Sequence, residues 1–170
     1  MAKREEPKSP MHAWEAVGLL VGVTGAKVFA EIGVLIGTTA IYLNKRFDID
    51  KYYLVDRKLD PSCFDVFSKE ECACFEFLKM WATDACKLVP DGSLDGCFID
   101  ASHDEWNVRQ DIKDWLPKVR PGGFLCGHDY GTAKWPGVKV AVDDIFQEKT
   151  MLIPVRNCYI WVYSVPEVGG

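Results

Sequence analysis

The sequence of 170 residues contains no CxxC pair, although it holds seven cysteines: Cys63, Cys72, Cys74, Cys86, Cys97, Cys126 and Cys158. Their odd number and scattered spacing exclude a zinc knuckle and supply no disulfide framework. Cys97 and Cys126 fall inside apolar runs, where a thiol behaves as a small hydrophobe, and a reducing, cytoplasmic compartment is expected. Basic charge is also short: 20 Lys and Arg stand against 25 Asp and Glu, for a net charge of −5. That balance argues against nucleic acid as a partner and against an anionic membrane surface. No apolar run reaches the ~20 residues of a membrane span, because Lys27 and Glu31 interrupt the stretch from Ala13 to Leu43. Internal repeats and low-complexity tracts are missing. So is G-x-G-x-x-G, the spacing of a dinucleotide-binding loop, which disfavours a nicotinamide-dependent oxidoreductase.

What remains is the make-up of a globular chain, 48% hydrophobic and 26% charged, with the length of one domain. The charged start MAKREEPKSP predicts a disordered N-terminal arm over residues 1–10, with a single domain over 11–166. Trp14, Val17 and Leu20 recur at helical spacing and predict a helix from Met11 to about Val23. "KVFAEIG" reads as a strand, "GTTAIYLNKRF" as a helix with Thr38 or Thr39 at its start, and "KYYLVD" as a second strand. The segment from Pro61 to about Phe77 is expected to be helical, followed by a third strand, "FLKMWATD". "LDGCFID" and "GGFLCGHD" read as the fourth and fifth strands, separated by the helix "EWNVRQDIKDWLPKV". A further helix, "VKVAVDDIFQEK", precedes a final pair of β-rich runs, "MLIPV" and "CYIWVYS", expected to form an antiparallel hairpin at one edge. Alternating strands and helices predict a doubly wound, mostly parallel α/β sheet with helices on both faces.

In such sheets ligands bind beyond the carboxyl ends of the strands. The strand ends so read carry Glu31 and Gly33, then Asp56, Asp84, Asp100, and His128 with Asp129. "EIGVLIGTT" turns from the first strand into a helix through Gly33 and Gly37, and glycine lets backbone turn tightly and lets a ligand approach. Asp56 can accept both hydroxyls of a ribose, as acids at this point do in nucleoside-binding folds; the alternative is a loop cap. Asp84 can accept from an adenine amino group. The fifth strand ends in a potential base, a potential metal ligand and a phenol: His128, Asp129 and Tyr130. His103 and His128 are read as site residues, the alternative being loop orientation, whereas His12 is read as structural. Asp111, Asp114, Asp143 and Asp144 are expected on solvated helix faces, and Trp106 and Trp115 in helix-to-sheet packing. Trp135 is placed on a loop that either closes over substrate or packs in the core.

Taken together, "VFAEIGVLIGTTAIYL", "YYLVD", "WATDA", "GCFIDASHDEWNVRQDIKDWLPKVRPGGFLCGHDY" and "PGVKVAVDDIF" resemble the successive motifs of class I S-adenosylmethionine-dependent methyltransferases. The branch they resemble is that of small-molecule and sugar O-methyltransferases (methyltransferase family 24), similar to the catechol-type enzymes. The resemblance spans roughly Lys27 to Tyr163, and its specific part runs from Asp95 to Tyr130. It implies a Rossmann-like seven-stranded sheet in the order 3-2-1-4-5-7-6 with the last strand antiparallel. It further implies that Glu31, Gly33, Gly37 and Thr38 hold the methionine end of S-adenosylmethionine, that Asp56 takes the ribose, that Asp84 and Ala85 face the adenine, and that Asp100 borders the cofactor. Where that branch has D-G-D-H, this chain has Asp100-Ala101-Ser102-His103, so one acid has become Ser102. Only one helix precedes the first strand, so a lid over the substrate would come from a second subunit of a homodimer, or be absent.

The resemblance places Asp100, His103, His128 and Asp129 together as the catalytic group facing a small hydroxylated acceptor. A hydroxyl is a poor nucleophile until a base or a metal weakens its hold on the proton. In one mechanism Asp100 and Asp129 bind Mg²⁺ or another divalent cation, which the acceptor oxygen joins. In the other, His103 or His128 is the general base, suited by an ordinary imidazole pKa near ~6.5. The Asp-Asn pair of the catechol-type enzymes is His128-Asp129 here. A rival from another class is a methyltransferase fold without turnover, binding cofactor or regulating a partner; Ser102 favours it, and the two histidines oppose it.

Overall fold

The computed structural model describes residues 11–167, so the arm expected over residues 1–10 lies outside the described residues. Strand β1 (Val28–Ile32) shows how the sheet is built. Successive side chains point to opposite faces. Phe29 therefore enters one core, with Tyr52 and Phe98, while Ala30 and Ile32 enter the other, with Val55 and Ile99. Burial on both faces is what made this strand, and β4 (Leu94–Ile99), read as nearly continuous apolar runs.

Strands β2 (Lys51–Val55), β3 (Phe75–Leu78), β5 (Val119–Tyr130), β6 (Met151–Val155) and β7 (Cys158–Ser164) complete a seven-stranded sheet in the order β3-β2-β1-β4-β5-β7-β6. β1, β2, β3, β4 and β5 pair in parallel, and β7 is antiparallel to both β5 and β6. The fold is that expected. Helices α1 (Ala13–Thr24) and α2 (Thr38–Asn44) cover one face; α4 (Glu105–Trp115) and α5 (Pro136–Phe146) cover the other. Strand order reverses between β1 and β4, whose ends stand level at Ile32 and Ile99. Chain leaving β1 turns toward one face and chain leaving β4 toward the other, which opens a crevice beyond their carboxyl ends.

The region from Pro61 to Asp84 departs from expectation. Instead of a long helix, a single 3-10 turn forms at Pro61–Phe64, capped by the Asp60 carboxylate, which accepts from Ser62 N at 3.0 Å. Phe64, Phe67, Phe75 and Phe77 then gather edge to face, with ring centroids 5.1 to 6.0 Å apart. That cluster takes the hydrophobic content a helix would have spread along one stripe. β3 accordingly begins at Phe75, earlier than expected, and stops at Leu78. "ATDA" is rich in helix-forming alanine and forms the short helix α3 (Ala82–Ala85), whose Asp84 and Ala85 amides donate to Trp81 O. Asp84 is thus a helix residue and no strand end.

Two side chains also differ from expectation on α4. Trp115 is fully buried as anticipated, but Trp106 is 73% exposed. Asp111, expected on a solvated face, is buried, and its pKa is raised to about 7, chiefly by burial and then by the like charges of Asp114 and Asp104. Among the described residues no helix is long and apolar enough to cross a membrane.

Candidate active site

The crevice is a cleft of about 810 Å³, within the range of small-molecule sites. Its first wall is the turn after β1. Gly33 has φ +92, and a Cβ on it would stand 2.3 Å from the Asp100 carbonyl oxygen, so only glycine lets this turn pass against the end of β4. The Asp56 carboxylate, at the end of β2, fixes the same turn: one oxygen accepts from Val34 N at 3.1 Å and Leu35 N at 3.0 Å, the other from Lys58 N at 2.7 Å. Gly37, at φ +73, is the N-cap of α2 and lies against the Phe64 ring; Thr38 and Thr39 line the cleft beside it.

Glu31 lies at the floor of this half, 2% exposed. Its carboxylate accepts from the Tyr52 hydroxyl at 2.9 Å. Burial pushes the Glu31 pKa up to about 8; the Tyr52 bond opposes the rise and the charge of Asp100 adds to it. An acid so placed is poised to ionise when a cation arrives.

The second half is a knot of four side chains. His103 Nε2 stands 2.9 Å from Asp129 Oδ2 and 3.4 Å from Asp100 Oδ1. His128 Nδ1 stands 3.2 Å from the same Asp129 oxygen and 3.6 Å from the same Asp100 oxygen. Neighbouring strand residues ordinarily face opposite ways, yet His128 and Asp129 both line the cleft. A bulge explains it. Pairing with β7 passes from Gly127↔Trp161 to Tyr130↔Tyr159, three residues advancing against two, and Asp129 takes φ +59 to absorb the extra one. Aspartate tolerates that left-handed backbone better than most residues.

Charge within the knot is mutually stabilised. Hydrogen bonds to Asp100 and Asp129 raise His103 to about 9. Burial works to lower His128, but the bonds to the same two carboxylates outweigh it and raise the pKa to about 10. Burial tends to raise Asp129, and the two imidazoles overcome it, holding the carboxyl well below the usual range. Both imidazoles therefore keep their protons at neutral pH. Ligand atoms of Asp100, His103 and Asp129 also lie within 4.8 Å of one another, a spacing that a single cation could bridge.

Of the residues singled out in the sequence, Glu31, Gly33, Thr38, Asp56, Asp100, His103, His128 and Asp129 share this one cleft. Gly37 borders it. Asp84 and Ala85 do not line it: Asp84 pairs with Lys87 at 2.8 Å on the surface, and Ala85, the last residue of α3, is fully buried. Met80, Trp81 and Ala82 occupy that wall instead, Trp81 carrying the Arg57 guanidinium 4.3 Å from its ring centroid. Two further contacts escaped sequence reasoning. Trp135 stacks on His103, centroids 4.7 Å apart and 19° from parallel. Cys158 Sγ stands 3.3 Å from His128 Nε2. Ser102, in place of an acid, donates to Asp104 at 2.7 Å, and Asp104 caps α4 by accepting from Asn107 N.

The family model of a methyltransferase domain, family 24, matches residues 30–130, from within β1 to the end of β5. The chain belongs to this methyltransferase family. Solved structures agree on the fold. An O-methyltransferase from Bacillus cereus, in complex with S-adenosylhomocysteine, superposes with a TM-score of 0.65 at 18% identity, over 96% of this chain and 84% of that one. TomG of Streptomyces achromogenes, an O-methyltransferase of tomaymycin synthesis in complex with S-adenosylmethionine, gives 0.63 at 15% identity over 89% and 79%. An O-methyltransferase family protein from Burkholderia thailandensis gives 0.72 at 14% identity over 92% of this chain and 56% of that one. No curated protein matches this methyltransferase.

Proposed function

We propose that the protein is an S-adenosylmethionine-dependent O-methyltransferase acting on a small hydroxylated acceptor, a sugar or another polar metabolite. The observation that carries this reading is the single cleft with two unlike halves, a buried acid and glycine turn in one and the Asp100–His103–His128–Asp129 knot in the other. The residues fit the cofactor. Buried Glu31 offers a countercharge for its α-ammonium, Asp56 remains at the cleft for ribose hydroxyls, and Met80, Trp81 and Ala82 give an apolar wall for adenine. The S-adenosylmethionine-bound and S-adenosylhomocysteine-bound neighbours support the same assignment.

When bound, the cofactor supplies the methyl group as an electrophile. Asp100, His103, His128 and Asp129 hold the acceptor hydroxyl at near-attack distance, where orientation accounts for much of the rate. They also govern its proton. Either an imidazole that has released its own proton accepts it, the 2.9 Å pairing of His103 with Asp129 serving as orienter, or Asp100 and Asp129 would hold a divalent cation, whose chemistry there would be Lewis acidity toward the acceptor. Trp135, stacked on His103, keeps that ring from swinging away.

Calorimetric titration with S-adenosylhomocysteine, with Mg²⁺ and then with EDTA, tests the cofactor assignment; the expected result is micromolar binding that Asp56→Ala weakens sharply. Methyl transfer to a panel of sugars and phenols, run with and without EDTA, then separates the two proton routes. No cofactor binding under any condition would overturn the enzyme reading in favour of a non-catalytic methyltransferase fold.

A further inference from the structure

His128 presents its two ring nitrogens to different neighbours. Nδ1 faces the carboxylates of Asp129 and Asp100 at 3.2 and 3.6 Å, whereas Nε2 faces Cys158 Sγ at 3.3 Å. Cys158 opens β7 and is 8% exposed. The bulge in β5 that turns His128 and Asp129 into the cleft also carries His128 against the first residue of β7. The geometry points to a thiolate-containing metal site, in which Cys158 Sγ, His128 and the Asp129 carboxylate take a divalent cation of borderline softness, Zn²⁺ or Co²⁺ in preference to Mg²⁺.

Three observations support it. The three ligand atoms lie within 4.8 Å of one another. In a tetrahedral site, with metal–sulfur and metal–nitrogen bonds of ~2.3 and ~2.0 Å, the two donor atoms stand about 3.5 Å apart. The observed 3.3 Å between Cys158 Sγ and His128 Nε2 is close to that spacing, while the Asp129 carboxylate, which faces Nδ1 at 3.2 Å, swings toward Nε2 to complete the set. Lastly, a sulfur, nitrogen and oxygen donor set selects zinc-like ions, whereas magnesium demands oxygen ligands in a near-octahedral array. Binding displaces two protons, one from the Cys158 thiol and one from the His128 imidazolium, and both pass to solvent. Three protein ligands leave a fourth position for water or an acceptor oxygen. Asp129 belongs both to this group and to the oxygen-rich group with Asp100 and His103, so one cation on Asp129 excludes another. The site shares residues with the proposed methyl-transfer centre but does not depend on that reading.

The test is absorbance titration of the chelator-stripped full chain with Co²⁺. A thiolate-to-cobalt charge-transfer band should appear in the near ultraviolet and saturate at a single equivalent, with excess Mg²⁺ leaving it in place. Cys158→Ser should abolish the band and weaken binding more than about 100-fold, beyond the 10–100-fold that loss of an outer-shell partner costs. Asp129→Asn, which leaves β7 untouched, should weaken binding at least tenfold, and Cys74→Ser should change nothing; circular dichroism of each variant establishes that it is folded. No band in the wild type would overturn the site. So would a band that survives Cys158→Ser, or a loss of affinity in Cys158→Ser confined to the outer-shell range. Cofactor binding, read separately by calorimetry, stands or falls on its own.

Discussion

Glu31 at the end of β1 and Asp129 at the end of β5 are both largely withdrawn from solvent, and burial pushes each toward its neutral form. In the half of the cleft built by β1 and β2 no cation among the described residues answers that push; the Tyr52 and Thr39 side chains are the partners, and Glu31 rises to about 8. In the half built by β4 and β5 two imidazoles answer it, and Asp129 falls well below the ordinary range. Two acids of similar intrinsic strength thus become a carboxyl waiting for a cation and a carboxylate already committed to two. The first suits a site whose ligand brings positive charge. The second suits a site that must hold or release protons while its ligand reacts.

The largest effect is expected where the halves touch. Gly33→Ala would force a Cβ to within 2.3 Å of the Asp100 carbonyl at a φ of +92. Strained backbone and overpacking each cost about 1–3 kcal/mol, so a loss of about 3 kcal/mol or more in urea denaturation is expected. An unchanged midpoint would show that the two halves are not joined at this point.

Glu31→Gln comes next. Removing a charged partner from a buried hydrogen bond costs about 1.5–3 kcal/mol, so affinity for S-adenosylhomocysteine should fall roughly 10- to 100-fold. Wild-type affinity should climb as pH approaches 8, where free Glu31 ionises, and the variant should show no such climb; a parallel pH profile would remove Glu31 from the ammonium site. Stability of the ligand-free protein follows the same group with the opposite sense. Because the folded pKa is raised, Glu31 contributes fully below about 4.3, its ordinary value, and the contribution is lost as pH rises through about 8. Glu31→Gln should flatten that decline.

Asp129→Asn probes the other half. An opposite charge within contact distance shifts a pKa by about 1–3 units, so the His103 and His128 titrations, followed by NMR of the ring protons, should drop by at least one unit from about 9 and about 10. The sign of the stability change is set by those raised values: the two imidazoles contribute fully below about 6.5 and lose that contribution as pH rises through about 9 and about 10. The variant should show a smaller decline, moved to lower pH, because Asp100 still pairs with both rings, while the Glu31 decline persists. Unmoved histidine titrations would mean that Asp100 alone holds both rings.

How far this contrast could be read in the sequence depended on whether local chemistry or pairing decided a position. β1, β2, β4 and β5 were legible because an apolar run stops at an acid or imidazole, and both features are local. Glu31, Asp56 and Asp100 followed directly. β3 was misplaced because Met80 and Trp81 look like strand residues, while the aromatic cluster of Phe64, Phe67, Phe75 and Phe77, which draws the strand earlier, is assembled by tertiary packing. Asp84 went with it. That His128 and Asp129 stand at the ligand-binding end of the fifth strand was legible in the residues, but their grouping with Asp100 and His103 came from the resemblance; the bulge that turns both into one cleft lies in the register of β5 against β7, and residues adjacent in sequence do not reveal it. Cys158 was invisible for the same reason, since it meets His128 across that register.

The smallest effect lies outside the cleft and isolates burial from function. Asp111 on α4 is 6% exposed, and what acts on it is burial and then the like charges of Asp114 and Asp104, so it resembles Glu31 without the cleft. Its folded pKa of about 7 means that its contribution is intact below about 3.9, the unfolded value, and is lost as pH rises through about 7. Asp111→Asn should therefore stabilise the protein by about 1 kcal/mol at pH 8, and the gain should vanish near pH 4. Cofactor affinity should stay where it was at both pH values. If the same variant altered cofactor binding, α4 would be coupled to the cleft through its own N-terminal turn, where Asp104 holds Ser102, and the division of the molecule into a charged site and an indifferent scaffold would have to be redrawn.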